Sequence, residues 1–199
     1  MYKKYAVALG AVLAVGIAGG AMAKVDGDTI ILGSSISLTG KYATNGLHTQ
    51  RGYDYAVDVI NKAGGVKVGG KSYKLDVKYY DDESTPARGA QLAERLIQQD
   101  GVEYMLGPYS SGMTKAIAPV SEKFGVPMVE AEGASRSLFT QGYKYLFAVL
   151  STTDLYLPMA IDMAAASTGD PSKLRAAVAF EGDPFTADIR IGVLEKLAE

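Results

Sequence analysis

The chain has 199 residues, 48% of them apolar, with 20 Lys and Arg against 22 Asp and Glu, a single His, and neither Cys nor Trp. That length and apolar content fit one domain or slightly more with a packed core. The near-neutral balance without a basic run argues against a nucleic-acid binder. The absence of Cys excludes disulfides, thiolate metal sites, thiol nucleophiles and a lipid-modified cysteine.

Residues 1–23 read as a secretory signal peptide. Lys3 and Lys4 form a short positive region, Tyr5 to Ala18 is uncharged and mostly apolar, and Ala21-Met22-Ala23 supplies the small-x-small cleavage pattern. The apolar stretch is shorter than the roughly 20 residues that span a bilayer. Cleavage after Ala23 is expected, giving an exported protein of the periplasm.

Strand and helix signals then alternate. Thr29 to Ile36 is a β-rich run ending in the loop Ser37-Leu38-Thr39-Gly40. Leu47 to Ala63 has helical spacing through Tyr53, Ala56, Val57, Ile60 and Ala63, and Gly64-Gly65 stops it. Val66 to Ser72, with Gly69-Gly70, reads as a hairpin turn, and the alternating run Tyr73 to Tyr80 as a strand. Thr85 and Pro86 suit the N-cap and first position of a helix over Ala87 to Gln99. A strand at Val102 to Leu106, a loop at Gly107 to Gly112 and a helix at Met113 to Phe124 through Pro119 follow. Val126 to Glu130 and Tyr145 to Val149 read as strands, with a loop or short helical turn at Gly133 to Leu138 between them. This order predicts an α/β fold with a doubly wound, mostly parallel sheet. Its ligand would bind outside the carboxyl ends of the strands.

After Leu150, Ser151 to Asp154 is expected to cap a helix running to about Ala166. Leu174 to Phe180 reads as a strand, and Asp183-Pro184 opens a helix that runs to Glu199. One β-α unit cannot bury both of its faces. The expectation is therefore an N-terminal lobe over residues 24–150, the beginning of a second lobe over residues 151–199, and a longer parent protein.

Several catalytic readings fail on spacing. Thr39-Gly40-Lys41 is no phosphate loop, because Ser35 and Tyr42 stand where Gly and Ser or Thr are needed. No G-x-G-x-x-G follows the first strand, and no G-x-S-x-G surrounds Ser110 or Ser111. His48 reads as a surface or cap histidine. Asp81 and Asp82, at a strand end, read either as an acid/base or metal pair or as acidic groups favoured by the next helix dipole. The loop Gly107 to Gly112 lies between a strand end and a helix start, where free N–H groups and serine hydroxyls suit a carboxylate. Gly133-Ala134-Ser135 repeats the arrangement. Both loops read equally as a carboxylate clamp or as ordinary turn-and-cap chemistry.

The mature segment resembles the leucine/isoleucine/valine-binding family, the periplasmic substrate-binding proteins of branched-chain amino-acid ABC transporters. Its marks are Ser37-Leu38-Thr39-Gly40, the run Ala56 to Gly65, Tyr80 to Pro86, Gly107 to Gly112, Gly125-Val126-Pro127, Gly133-Ala134-Ser135 and Gly142-Tyr143-Lys144, in order. The resemblance implies a type I periplasmic-binding-protein fold, two α/β lobes joined by hinge strands, with the first crossing at Leu150. It implies that Ser111, beside Ser110, bonds a ligand carboxylate, that the loop Glu132 to Ser135, with Gly133, Ala134 and Ser135, does the same through N–H groups and a hydroxyl, and that Phe185 closes over the ligand. Asn45 stands where amino-acid binders place an aromatic residue, which keeps amides, urea and aromatic acids open as ligands. Ser84 and Ser110 stand at cysteine positions of a family disulfide. The implied partners are a small-molecule ligand and an ABC permease. The expected mode is capture without catalysis, cofactor or metal; a ligand-sensing receptor ectodomain and an enzyme on the same fold are the other classes.

Overall fold

The computed structural model describes residues 25–199; the expected signal segment and its cleavage step lie outside them. The strands are β1 (Val25–Asp26), β2 (Thr29–Ile36), β3 (Val66–Val68), β4 (Lys71–Asp81), β5 (Met105–Leu106), β6 (Met128–Glu130) and β7 (Leu146–Ala148). The helices are α1 (Ala43–Lys62), α2 (Pro86–Gln98), α3 (Ser111–Phe124), α4 (Arg136–Phe139), α5 (Pro158–Thr168) and α6 (Pro184–Leu197).

The strands form one sheet in the order β3-β4-β2-β5-β6-β7, with β1 paired antiparallel to β2. The five strands from β4 to β7 in that order run parallel. β3 and β4 form an antiparallel hairpin over Gly69 and Gly70, whose φ angles of 57° and 82° are those a two-residue hairpin turn needs. From β2 the chain moves to one side to reach β4, then crosses back to β5 and continues to β6 and β7. Right-handed crossovers in opposite directions put their helices on opposite faces. α1 accordingly packs on β4, whereas α2 packs on β2 and α3. The reversal between β2 and β5 leaves a crevice at their carboxyl ends, where the loops after both strands meet.

The core lies between α2, α3 and the β5–β7 side of the sheet. Leu96, Met105, Ile117, Met128 and Leu138 are fully buried there. Gly125, with φ of 66°, ends α3 in the left-handed conformation that favours glycine and turns the chain into β6. α3 runs unbroken through Pro119.

Three expectations need correction. α1 begins at Ala43, not near Leu47, so Asn45 lies inside the helix. Its expected apolar face is exposed at Ala56, Ile60 and Ala63; the buried positions are Gly46 and Thr49, at the end nearest the crevice. Leu174 to Phe180 forms no strand, because an extended segment becomes one only with a neighbour for its backbone groups, and none is present among the described residues. After Leu150 a 3₁₀ turn at Thr153–Leu155 precedes α5, which starts at Pro158, where a missing N–H costs nothing.

Candidate ligand-binding site

The loop after β2 is fastened to the loop after β4. Asp81 accepts hydrogen bonds from the N–H groups of Leu38 (3.0 Å), Thr39 (3.1 Å) and Glu83 (2.9 Å) and from the Thr39 hydroxyl (2.7 Å). Burial pushes its carboxyl up, but these bonds outweigh that and hold it below the ordinary range. Asp82 accepts from the Ser37 hydroxyl (2.6 Å) and the Ser84 N–H (2.8 Å). The two acids therefore brace loops, and neither offered reading, an acid/base or metal pair or support of the α2 terminus, describes their bonds. Ser84 donates its hydroxyl to the Thr39 carbonyl (2.7 Å) and accepts from the Tyr42 N–H (2.9 Å). The chain then enters α1 against Ser37, just past β2, because Gly46 leaves no side chain: a Cβ there would stand 1.8 Å from the Ser37 oxygen. Tyr42 and Asn45 are thereby set at the crevice.

The loop after β5 is fastened to the loop after β6. Ser111 opens α3, and its hydroxyl oxygen accepts the Ser135 N–H at 3.2 Å. The Ser110 carbonyl accepts the Thr114 N–H at 2.8 Å. Glu130, at the end of β6, accepts the N–H groups of Glu132 and Gly133, each at 2.7 Å. Tyr53 of α1 donates its hydroxyl to the Gly107 carbonyl at 2.8 Å, and burial pushes its phenol far up, so it keeps that proton.

A cavity of about 650 Å³ opens between these loops and the start of α6. Asn45, Ser110, Ser111 and Phe185, from three separate stretches of chain, all line it. Tyr42 and Tyr109 line it as an edge-to-face pair 5.5 Å apart, and Tyr156 meets Phe185 edge-to-face at 6.0 Å. Glu132, Asp183 and Thr186 add polar groups, and Lys41 stands 3.5 Å from Glu181 across the lining.

Gly133, Ala134 and Ser135 are not among the lining residues. The Gly133 N–H is taken by Glu130, and the Ala134 carbonyl accepts the Thr153 N–H at 2.9 Å. The Ser135 hydroxyl bonds the Asp188 carboxylate of α6, which also accepts the Ser137 N–H at 2.9 Å. Sequence reasoning missed Tyr42, Tyr109, Tyr156 and Thr186. Tyr42 and Tyr109 carried a usable signal, as aromatic residues in or bordering loops at strand carboxyl ends; Tyr156 carried none.

Residues 29–199 match a family described as periplasmic binding protein. The chain belongs to that family. Among its relatives, the leucine-, isoleucine-, valine-, threonine-, and alanine-binding protein of Pseudomonas aeruginosa is 29% identical over 147 residues, covering 74% of this chain and 38% of that protein. Among solved structures of periplasmic binding proteins, the branched-chain amino acid transporter substrate binding protein LivJ from Streptococcus pneumoniae, in complex with isoleucine, superimposes with a TM-score of 0.68 at 26% identity, covering 84% of this chain and 46% of LivJ. A solute binding protein of an ABC transporter from R. palustris, in complex with 4-hydroxybenzoate, gives 0.70 at 27% identity, covering 86% of this chain and 44% of its own. The chain thus spans less than half the length of these relatives. The fold expected from the resemblance, that of a type I periplasmic binding protein, is the one they share with it. Family members bind small molecules and work with ABC transporter permeases.

Proposed function

We propose that this protein captures a branched-chain amino acid in the periplasm and hands it unchanged to an ABC permease. The ligand would sit between a lobe formed by residues 24–150 and a second lobe that begins at residue 151. The observation that carries this reading is the convergence of two helix N-termini on one cavity, α3 with Ser110 and Ser111 and α6 with Phe185 and Thr186. The α3 N-terminus has no side-chain cap, so its first N–H groups and the positive end of its dipole favour a carboxylate, whereas the α6 N-terminus opens with Pro184 and is capped by Asp183, which accepts the Thr186 N–H, and contributes the Phe185 ring. The same cavity carries Glu132, Glu181 and Asp183 against Lys41 alone. That acidic excess suits a zwitterion, whose ammonium group it would hold, better than a simple anion.

Micromolar affinity needs about 8 kcal/mol, which one carboxylate clamp does not supply after the costs of association. Contacts from both lobes are therefore required, and capture would proceed by hinge closure over the ligand. A second reading, an aromatic carboxylate, is favoured by the four rings of Tyr42, Tyr109, Tyr156 and Phe185 and by the 4-hydroxybenzoate complex of the R. palustris protein.

Thermal-shift titration of the full-length protein with leucine, isoleucine, valine, benzoate and 4-hydroxybenzoate separates the two. Stabilisation by the amino acids supports the first reading, and response to the benzoates alone replaces it with the second. Turnover of any of them would overturn capture without chemistry.

A further inference from the structure

Glu130 is only 1% exposed, yet no cation among the described residues faces it. Its charged or titratable neighbours are Glu132, from the loop that follows it, and the Tyr53 phenol of α1. α3 presents the Thr114 hydroxyl, while β5 and β7 carry only apolar residues. The hydrogens can be counted. Oε1 of Glu130 accepts two N–H groups, from Glu132 and Gly133. Oε2 lies 2.6 Å from the Thr114 Oγ1, which also lies 2.9 Å from the Ser110 carbonyl oxygen. A threonine hydroxyl has one hydrogen to give. If it goes to Ser110, the short Thr114–Glu130 contact has no proton unless Glu130 brings one.

We propose that Glu130 is a positioning residue held as the neutral acid, whose proton runs through Thr114 to the Ser110 carbonyl and locks the Ser110–Ser111 turn to the loop over residues 131–135. The chain keeps space for this pair. A Cβ on Gly107 would stand 2.2 Å from Glu130 Oε2, and one on Gly133 would stand 2.4 Å from Thr114 Oγ1. Burial, the dominant influence, pushes the Glu130 carboxyl up to about 7. Above that pH, ionised Glu130 takes the Thr114 hydrogen, and the Ser110 carbonyl loses its side-chain partner. The turn that carries Ser111 into the cavity then loses an anchor. The consequence for ligand capture rests on the reading of the cavity given above; the protonation of Glu130 does not.

The test therefore begins without ligand, by urea unfolding of the full-length protein between pH 5 and 8. A carboxyl raised in the folded state keeps more protons folded than unfolded, so stability falls as pH climbs from about 4.5 through about 7. The wild-type unfolding constant is expected to rise on the order of a hundredfold across that range relative to Glu130→Gln. The Gln amide matches the neutral acid: its oxygen accepts the two N–H groups and its NH₂ donates to Thr114. A wild-type slope that Glu130→Gln flattens supports the proposal; the same slope in both, or none in the wild type, overturns it. Carboxyl ¹³C NMR of wild-type Glu130 provides a measurement that no variant's folding can spoil. A midpoint in the ordinary glutamate range would also overturn the proposal. With isoleucine as probe, affinity that weakens from pH 6 to 8 in wild type but not in Glu130→Gln extends the role to the ligand. Absence of isoleucine binding would count against the proposed function and leave the ligand-free result standing.

Discussion

The backbone N–H of Ser135 donates to the hydroxyl oxygen of Ser111 across 3.2 Å, joining the loop after β6 to the first residue of α3. That bond occupies a lone pair and leaves the Ser111 hydrogen free to donate to a ligand carboxylate in the cavity. A hydrogen bond to a charged group contributes about 1.5–3 kcal/mol. Ser111→Ala is therefore expected to weaken isoleucine or benzoate binding by roughly ten- to a hundredfold. Calorimetric titration of the full-length protein measures this, and unchanged affinity for both would remove Ser111 from the site.

Two glycines of α1 should respond to alanine in opposite ways. At Gly46 a Cβ would stand 1.8 Å from the Ser37 carbonyl oxygen, a backbone atom that cannot rotate aside. Gly46→Ala must push α1 away from Ser37, the residue that follows β2, and is expected to cost about 1–3 kcal/mol or more. At Gly52, in the same helix, a Cβ meets nothing within 4 Å. Gly52→Ala removes backbone freedom from the unfolded chain and should stabilise by up to about 1 kcal/mol. A melting temperature that stays level or rises in Gly46→Ala would contradict the close approach of α1 to Ser37, and a fall in Gly52→Ala would contradict the open space at that position.

Asp81 links acidity to the order of the first binding loop. Despite the upward push of burial, its hydrogen bonds hold the folded-state carboxyl below the ordinary range. The unfolded chain therefore binds the proton more readily. The stabilisation is present above the ordinary aspartate value and is lost as pH falls through the depressed folded value. Asp81→Ala deletes the acceptor of all four bonds and should lower stability at pH 7 by about 1–3 kcal/mol, with the difference shrinking toward pH 3. Urea unfolding at both pH values reads this, and a constant difference would show that the carboxylate is not what braces the loop.

What was legible in the sequence follows from the range of each signal. The parallel sheet came from local features: β-rich runs such as Thr29 to Ile36, helical spacing in Ala87 to Gln99, and turn glycines at Gly69-Gly70. Ser110 and Ser111 were legible because a loop between a strand end and a helix start is fixed by local order, whereas Asn45 and Phe185 were named only through the family resemblance; all four line the cavity. The start of α1 was missed because Gly46 packs on Ser37, a contact no periodicity encodes. The work of Glu130 was invisible for a similar reason, since a lone acid at a strand end shows its burial only when α3 and α1 are in place. Leu174 to Phe180 is mostly apolar, but a strand is a property of a pair, and a single apolar run supplies only one member.

Ser135 and Asp188 are both buried, and the hydroxyl of one bonds the carboxylate of the other between α4's N-terminus and α6. Asp188 also holds the Ser137 N–H, so it fixes the beginning of α6, which carries Phe185 and Thr186 into the cavity, against the loop after β6. Ser135→Ala removes one acceptor-bound hydrogen and leaves Asp188 bonded to Ser137. Asp188→Ala leaves both Ser135 and Ser137 without that partner and should cost more, about 2–4 kcal/mol against about 1–2 kcal/mol. Because the two share one contact, the double variant should be less damaging than the sum, with a coupling of about 1–3 kcal/mol. A double-mutant cycle by urea unfolding measures it. Additivity within about 0.5 kcal/mol would mean that the Ser135–Asp188 contact does not hold α6 to this loop in solution, leaving the Ser135 contact with the Pro184 carbonyl as the link.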